Sequence, residues 1–206
     1  MKVKNIIFIL IVIVAVVSVF YSFQSGEDEK KYKEQIEKER QEKDHFMRTS
    51  AESPFVEGKI DFKGLNYFPV EVNYRIIAAL TPINQKDVLV LSTNDGKEQH
   101  YLKYAYAEFE LAGAKNKLLI LEMMDMGPFR GNLFLAFGDS TSAIETYGAG
   151  RYLDIRKTPG SSTITLDFNK AYNPYCAYTN KYSCPLPPAE NLLSIAIQAG
   201  EKIYEH

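Results

Sequence analysis

Residues 87–123 read DVLVLSTNDGKEQHYLKYAYAEFELAGAKNKLLILEM, and this stretch sets the fold class. Asp87–Thr93 is a short aliphatic and β-branched run of the kind that suits a pleated, half-buried surface. Asn94-Asp95-Gly96 ends it, because Asp-Gly tolerates the positive φ angles of a type I′ hairpin turn. The returning strand covers His100–Leu111, and Gly113–Asn116 turns the chain again. Lys117–Met123 (KLLILEM) is apolar on both faces and so belongs inside a sheet.

The same rhythm continues on either side. Upstream, Val70, Val72, Tyr74, Ile76, Ala78 and Leu80 share one face, with Glu71, Asn73 and Arg75 on the other. Downstream, Asn132–Phe137 (NLFLAF) reads as a second two-faced strand. Tyr152–Ile155, Thr163–Phe168 and Leu193–Gln198 follow as shorter strands. About eight strands separated by turn residues predict a mainly β, antiparallel β-sandwich or barrel-like domain. No βαβ rhythm occurs, so no Rossmann or P-loop nucleotide site is expected.

The first fifty residues are of a different kind. Ile6–Phe23 (IIFILIVIVAVVSVFYSF) carries no charge, and its 18 residues rise about 27 Å as a helix, close to the apolar core of a bilayer. Lys2 and Lys4 precede it. The positive-inside rule then predicts a single-pass anchor between Ile6 and Phe23, with a cytoplasmic N-terminus and the domain on the periplasmic side. Bulky Phe20, Tyr21 and Phe23 at its exit disfavour signal-peptide cleavage. Glu27–Met47 is rich in Glu, Lys, Gln and Arg, which are strong helix formers. Its sparse apolar residues, Tyr32, Ile36 and Phe46, predict a solvated helical spacer docked at most by its last turn at Phe46 and Met47. Pro54 ends it. The expected organisation is an anchor at 1–24, a charged helical linker at 25–50 and a β-rich domain at 51–206.

Composition narrows function by exclusion. A formal net charge of −2 argues against a nucleic-acid partner. Three histidines and two cysteines leave little material for a transition-metal site, and no metal or cofactor is expected. No Gly-x-Ser-x-Gly elbow is present, and only His100 could serve a hydrolytic triad.

Phe134–Lys202 interleaves aromatics, prolines and polar residues that are costly to bury. Its blocks are Phe137, Asp139, Thr141, Glu145-Thr146-Tyr147 and Gly150-Arg151-Tyr152-Leu153-Asp154. Then come Asp167-Phe168-Asn169, Ala171-Tyr172-Asn173-Pro174, Cys176-Ala177-Tyr178, Cys184-Pro185, Pro187-Pro188, Glu190-Asn191 and Gly200-Glu201-Lys202. This pattern resembles the bacterial family called domain of unknown function 1684, with weaker similarity reaching back through Gly64-Leu65 and Ser53-Pro54. The resemblance supports the domain boundaries and brings no established activity.

Several constellations within this region could carry chemistry. Asp139, Glu145, Asp154, Asp167 and Glu201 share it with Arg151, which could clamp an anion bidentately or simply pair with a neighbouring carboxylate and pin two loops. Tyr147–Arg151 could form an anion nest or a tight turn. Asn169, Asn173 and Asn191, with Tyr172, Tyr178 and Tyr182, could line a pocket or satisfy loop backbone. Cys176 and Cys184 admit a disulfide, or two buried thiols as the resemblance favours. Three functions follow: a module binding an unknown small molecule or protein in a polar cleft, a hydrolase-type enzyme using Asp139 or Glu145 with Arg151, or a structural envelope protein without a ligand.

Overall fold

A computed structural model describes residues 3–85, 87–124, 132–157 and 159–205, with side chains from Gly26 onward. The apolar run Ile6–Phe23 therefore lies outside the residues whose side chains are described. Among the described residues no helix is long and apolar enough to cross a membrane. The single-pass topology, with its cytoplasmic N-terminus and periplasmic domain, is not supported. From Gly26 onward the long helix α1 (Val3–Thr49) is highly charged, and its buried stripe faces its own domain.

Among the described residues seven strands form one curled antiparallel sheet: β1 (Arg75–Pro82), β2 (Val88–Ser92), β3 (Glu98–Leu111), β4 (Ala114–Met123), β5 (Leu133–Phe137), β6 (Arg151–Ile155) and β7 (Thr163–Asp167). Their order is β6-β5-β4-β3-β1-β7, with β2 also paired to β3. The barrel-like alternative is thus the one adopted, as a half-barrel rather than two stacked sheets. The β3–β4 hairpin closes on Ala112 and Gly113, both at positive φ (54° and 74°), which is the geometry of a primed turn.

Period-two alternation sorts the side chains into two cores. On the concave side, Leu118 and Ile120 of β4, Leu133, Leu135 and Phe137 of β5, and Leu153 and Ile155 of β6 meet Ile164 and Leu166 of β7. On the convex side, Leu119 and Leu121 meet Phe134, Ala136, Tyr152, Cys176 and Cys184. Strand β4 is buried on both faces because the chain after β7 folds back over the outside of the sheet.

The expected strand at Leu193–Gln198 does not form. Ile197 packs into the concave core, with Leu193 and Ile195 against it, as the alternation requires. The backbone bonds go elsewhere: Ile197 N–H donates to Asp139 Oδ1 (3.3 Å), Gln198 N–H to the Tyr74 hydroxyl (3.3 Å), and the Ile197 carbonyl accepts from Arg151 (2.8 Å). Side chains occupy the ladder that a neighbouring strand would have filled. Asn191 plays a similar part between β4 and β5, which pair only through Leu121–Phe134 and Glu122–Leu133. Its amide accepts from Leu119 N–H (2.7 Å) and donates to the carbonyls of Leu119 (2.9 Å) and Ala136 (2.8 Å), bridging the strands where they diverge.

Helix α1 is not a solvated spacer. Tyr32, Ile36, Arg40 and Met47 are buried, with Lys43 between them, a helical stripe laid along the domain. Each fully buried apolar side chain of this kind is worth about 1.5–3 kcal/mol, so the packing outweighs solvation of the helix. A second, short helix α2 (Pro54–Gly58) is capped by Ser53, whose hydroxyl accepts from Phe55 N–H (3.2 Å). It presents Phe55 to Phe62, Tyr178 and Tyr204.

Candidate functional site

The residues singled out in the sequence fall into two groups. The first is a closed ionic block. Arg151 opens β6 opposite Phe137 of β5, and its side chain is 1% exposed. One nitrogen, Nη2, reaches Asp139 Oδ2 at 2.8 Å and the Ile197 carbonyl at 2.8 Å. The other, Nη1, donates to the carbonyls of Ala199 and Glu201. The guanidinium also lies 5.3 Å from the Phe137 ring centre. Burial pulls the Arg151 pKa down, and Asp139 opposes that pull. The second oxygen of Asp139 accepts from Thr141 N–H (2.8 Å), the Thr141 hydroxyl (2.6 Å) and Ile197 N–H (3.3 Å). Three donors therefore meet Oδ1 and one meets Oδ2 of a side chain that is 1% exposed.

Glu201 is the second buried carboxylate. It accepts from Lys43 Nζ (2.9 Å), from Asn173 N–H (3.1 Å) and side chain (3.3 Å), and from the Tyr178 hydroxyl. Asn169 is also internal: its amide accepts from Glu71 N–H (3.0 Å) and donates to the Glu71 carbonyl (2.8 Å) and the Tyr32 hydroxyl (3.0 Å). Glu145, the other proposed acid, is not in the block with Asp139 and Arg151. It is half-buried and accepts from Gln198 (3.1 Å). Tyr147 points its hydroxyl at Cys176 Sγ (3.7 Å), and burial pushes its pKa up to about 12. The cysteines are two free, buried thiols.

The second group opens to solvent. A groove of ≈ 1270 Å³ runs between the convex face of β5 and β6, the segment 170–185 and the end of α1. Rings line it in sequence. Tyr101 stacks on Phe134 (centroids 5.5 Å), Phe134 meets Tyr152 edge-on (4.7 Å), and Tyr152 meets Tyr172 edge-on (5.9 Å). Tyr175 and Tyr182 form a further edge-on pair at 5.1 Å. The 172 segment is held there by paired backbone bonds between Tyr152 and Tyr172 (2.8 and 3.0 Å). Burial raises the pKa of Tyr152 and Tyr172, keeping both hydroxyls neutral donors.

Lys43, Arg156, Lys157 and Lys170 line the same groove against one carboxylate, Asp154. Two of the cations are already neutralised, Lys43 by Glu201 (2.9 Å) and Lys170 by Glu39 (2.7 Å). Arg156 and Lys157 are exposed and form no ion pair among the described residues; Lys157 lies over the Tyr104 ring at 4.9 Å. Asp154 accepts from the Tyr172 hydroxyl (2.9 Å), which disperses part of its charge. Among the described residues no three His, Cys, Asp or Glu side chains are grouped to hold a metal ion.

Of the residues expected to bind a ligand, Asp154 and Tyr172 line this groove. Asp139, Arg151, Asn169, Asn173, Tyr178 and Glu201 belong to the buried network instead. Sequence reasoning missed Tyr101, Phe134, Tyr152, Arg156 and Lys157. The available signal was the alternation within β5 and β6, which sends Phe134 and Tyr152 to the face opposite Leu135 and Leu153.

A family model described as "Protein of unknown function (DUF1684)" matches residues 60–202. The chain is also similar to the solution NMR structure of an uncharacterised protein of Haloarcula marismortui. The two are 36% identical, covering 85% of this chain and 96% of that one, with a TM-score of 0.64. No match is found among curated proteins.

Proposed function

We propose that this chain, which belongs to the family described as protein of unknown function DUF1684, is a binding protein for a small organic anion with a flat ring. One observation carries the reading: a row of four aromatic rings, with Tyr101, Phe134 and Tyr152 buried beneath the floor and Tyr172 partly exposed, lines a groove whose charges without an ion pair among the described residues are Arg156, Lys157 and Asp154. Aromatic faces offer apolar area with directional hydroxyls, and unpaired cations at the rim draw and orient an anion. The buried block of Asp139, Arg151 and Glu201 takes a structural role in this reading, since most of its donors and acceptors face one another, with Arg151 Nε and Asn173 Oδ1 left unpartnered.

The test uses 8-anilinonaphthalene-1-sulfonate, a flat aromatic anion, added to the full chain in the folded state. Saturable one-to-one fluorescence enhancement is expected. The double variant Arg156→Glu, Lys157→Glu should weaken it about tenfold, or 1.4 kcal/mol, with near-ultraviolet circular dichroism unchanged. Tyr182→Ala should also weaken it. Equal affinity in wild type and charge-reversed protein would remove the basis for this reading. Native mass spectrometry of protein purified from its own host would then identify any copurified species.

A further inference from the structure

Cys176 and Cys184 play no part in the ring row, yet both are free and placed side by side. Cys176 lies in the single turn Tyr175–Ala177, and its N–H points at the Cys184 sulfur, 3.4 Å away. That contact puts the Cys184 sulfur no more than about 5 Å from the Cys176 Cα. A disulfide needs the sulfurs about 2 Å apart, so the side chains must rotate to close the bond. Both backbones are pinned: Cys184 exchanges bonds with Asn94 through N–H to Oδ1 (2.7 Å) and through its carbonyl (3.0 Å), and Ala177 N–H returns to Pro174 (2.9 Å). The Tyr147 hydroxyl donates toward Cys176 Sγ (3.7 Å).

We propose that Cys176 and Cys184 are a redox-active thiol pair that reduces hydrogen peroxide, with Cys176 as the attacking sulfur. The oxidant must be small, because the two residues are only 7% and 8% exposed. The Cys176 thiolate attacks one peroxide oxygen, the O–O bond breaks, and hydroxide leaves to be protonated to water. Cys176 is then a sulfenic acid. Cys184 loses its proton and attacks the Cys176 sulfur; the S–O bond breaks and the oxygen leaves as a second water. The dithiol gives up two electrons and two protons, and the peroxide is reduced to two waters. The Tyr147 hydroxyl aimed at Cys176 Sγ favours this order, and the Cys176 N–H donated to Cys184 Sγ works against it. Hydrogen bonds from Cys184 first, and then from Tyr147, draw the Cys176 pKa down to about 7 against the effect of burial. The bond Cys184 gives to Cys176 raises its own. The pair borders the groove but does not rest on the groove's being a binding site.

Intact-mass spectrometry of the reduced full chain during a hydrogen peroxide titration tests this. The mass should fall by about 2 Da, and dithiothreitol should restore it. A peptide linking Cys176 to Cys184 should appear in the digest. Cys184→Ser should instead accumulate a dimedone adduct on Cys176, while Cys176→Ser stays unmodified at the same dose. Addition of oxygen without the 2 Da loss, linkage only between separate chains, or no change in the wild-type mass would each overturn the proposal. An adduct forming as readily on Cys184 would overturn the assigned order. The wild-type measurement stands whether or not either variant folds.

Discussion

Lys43 Nζ lies 2.9 Å from Glu201 Oε2, joining helix α1 to the carboxy-terminal segment 158 residues later. The same ammonium sits 4.8 Å from the Tyr172 ring centre. One side chain therefore ties the helix, the buried ionic block and the rim of the groove together. Glu201 is 1% exposed, so it depends on every donor it has. Lys43→Met keeps the aliphatic stem and removes the charge. Stability in urea should drop by about 2 kcal/mol, the scale of a hydrogen bond to a charged group. A change near zero would mean that Tyr178 and Asn173 suffice for Glu201, and that the helix is held by its apolar stripe alone.

Arg151 should be far less replaceable. Its guanidinium satisfies one carboxylate and three carbonyls at once. Arg151→Met leaves Asp139 buried without a counter-charge, at a cost of about 3–5 kcal/mol. Arg151→Lys should recover only part of this, because a single ammonium cannot serve the planar fork of acceptors. Equilibrium denaturation of the two variants gives the ordering directly. Full recovery by lysine would mean that charge alone matters at this position.

The strand pattern was legible because alternation follows directly from strand geometry, and β2 to β7 fall close to the runs read at 87–168; the run read at 70–80 becomes a strand only from Arg75, because Val72–Tyr74 forms a 3-10 turn and Val70 and Val72 pack against α1. Leu193–Gln198 was not, because its alternation reports burial correctly while its hydrogen bonds go to Arg151, Asp139 and Tyr74. No local rule foresees a side chain replacing a strand partner 46 residues away. The docking of α1 was missed for a related reason. Tyr32, Ile36, Arg40, Lys43 and Met47 fall on one helical face, but Arg40 and Lys43 read as solvated charges until their partners, Asn169 and Glu201, are placed in space. Of the residues expected to bind a ligand, only Asp154 and Tyr172 line the groove. Asp139, Arg151 and Glu201 stood out because they are costly to bury, and cost of burial marks a structural lock as readily as a binding cleft.

Gly200 shows why the terminal Ala-Gly-Glu run tolerates little change. It adopts φ +75°, and an added Cβ would sit 2.6 Å from the Ala171 carbonyl and 2.7 Å from that of Phe168. Both obstacles are backbone, so neither can step aside. Gly200→Ala combines left-handed strain with this clash, and a loss of about 2 kcal/mol or more is expected. The shift should also displace Glu201 from Asn173. Thermal or urea unfolding measures the first effect. Gly96→Ala supplies the control, because a Cβ there meets nothing within 4 Å although its φ is also positive (+79°). It should cost only the strain, clearly less than at Gly200; equal losses would assign the whole effect to φ.

The thiol pair makes a prediction in pH. Cys176 has a pKa lowered to about 7, chiefly by the hydrogen bond from Cys184. A depressed acid pKa means that the thiolate is the form the native state prefers. Its contribution to stability is complete above the ordinary thiol range and fades as pH falls through about 7. Reactivity runs the same way: alkylation of Cys176 by iodoacetamide should rise through about pH 7 and level off above it. Cys184→Ala removes the donor, so the midpoint should move up toward the ordinary value of about 8.5. Tyr147→Phe should move it in the same direction by less, because the Tyr147 contact is the smaller cause. Initial alkylation rates followed by peptide mass spectrometry resolve the three midpoints. A wild-type midpoint that stays put when Cys184 is removed would mean that the two sulfurs are neighbours without sharing a proton, and the order of attack assigned to them would lose its physical basis.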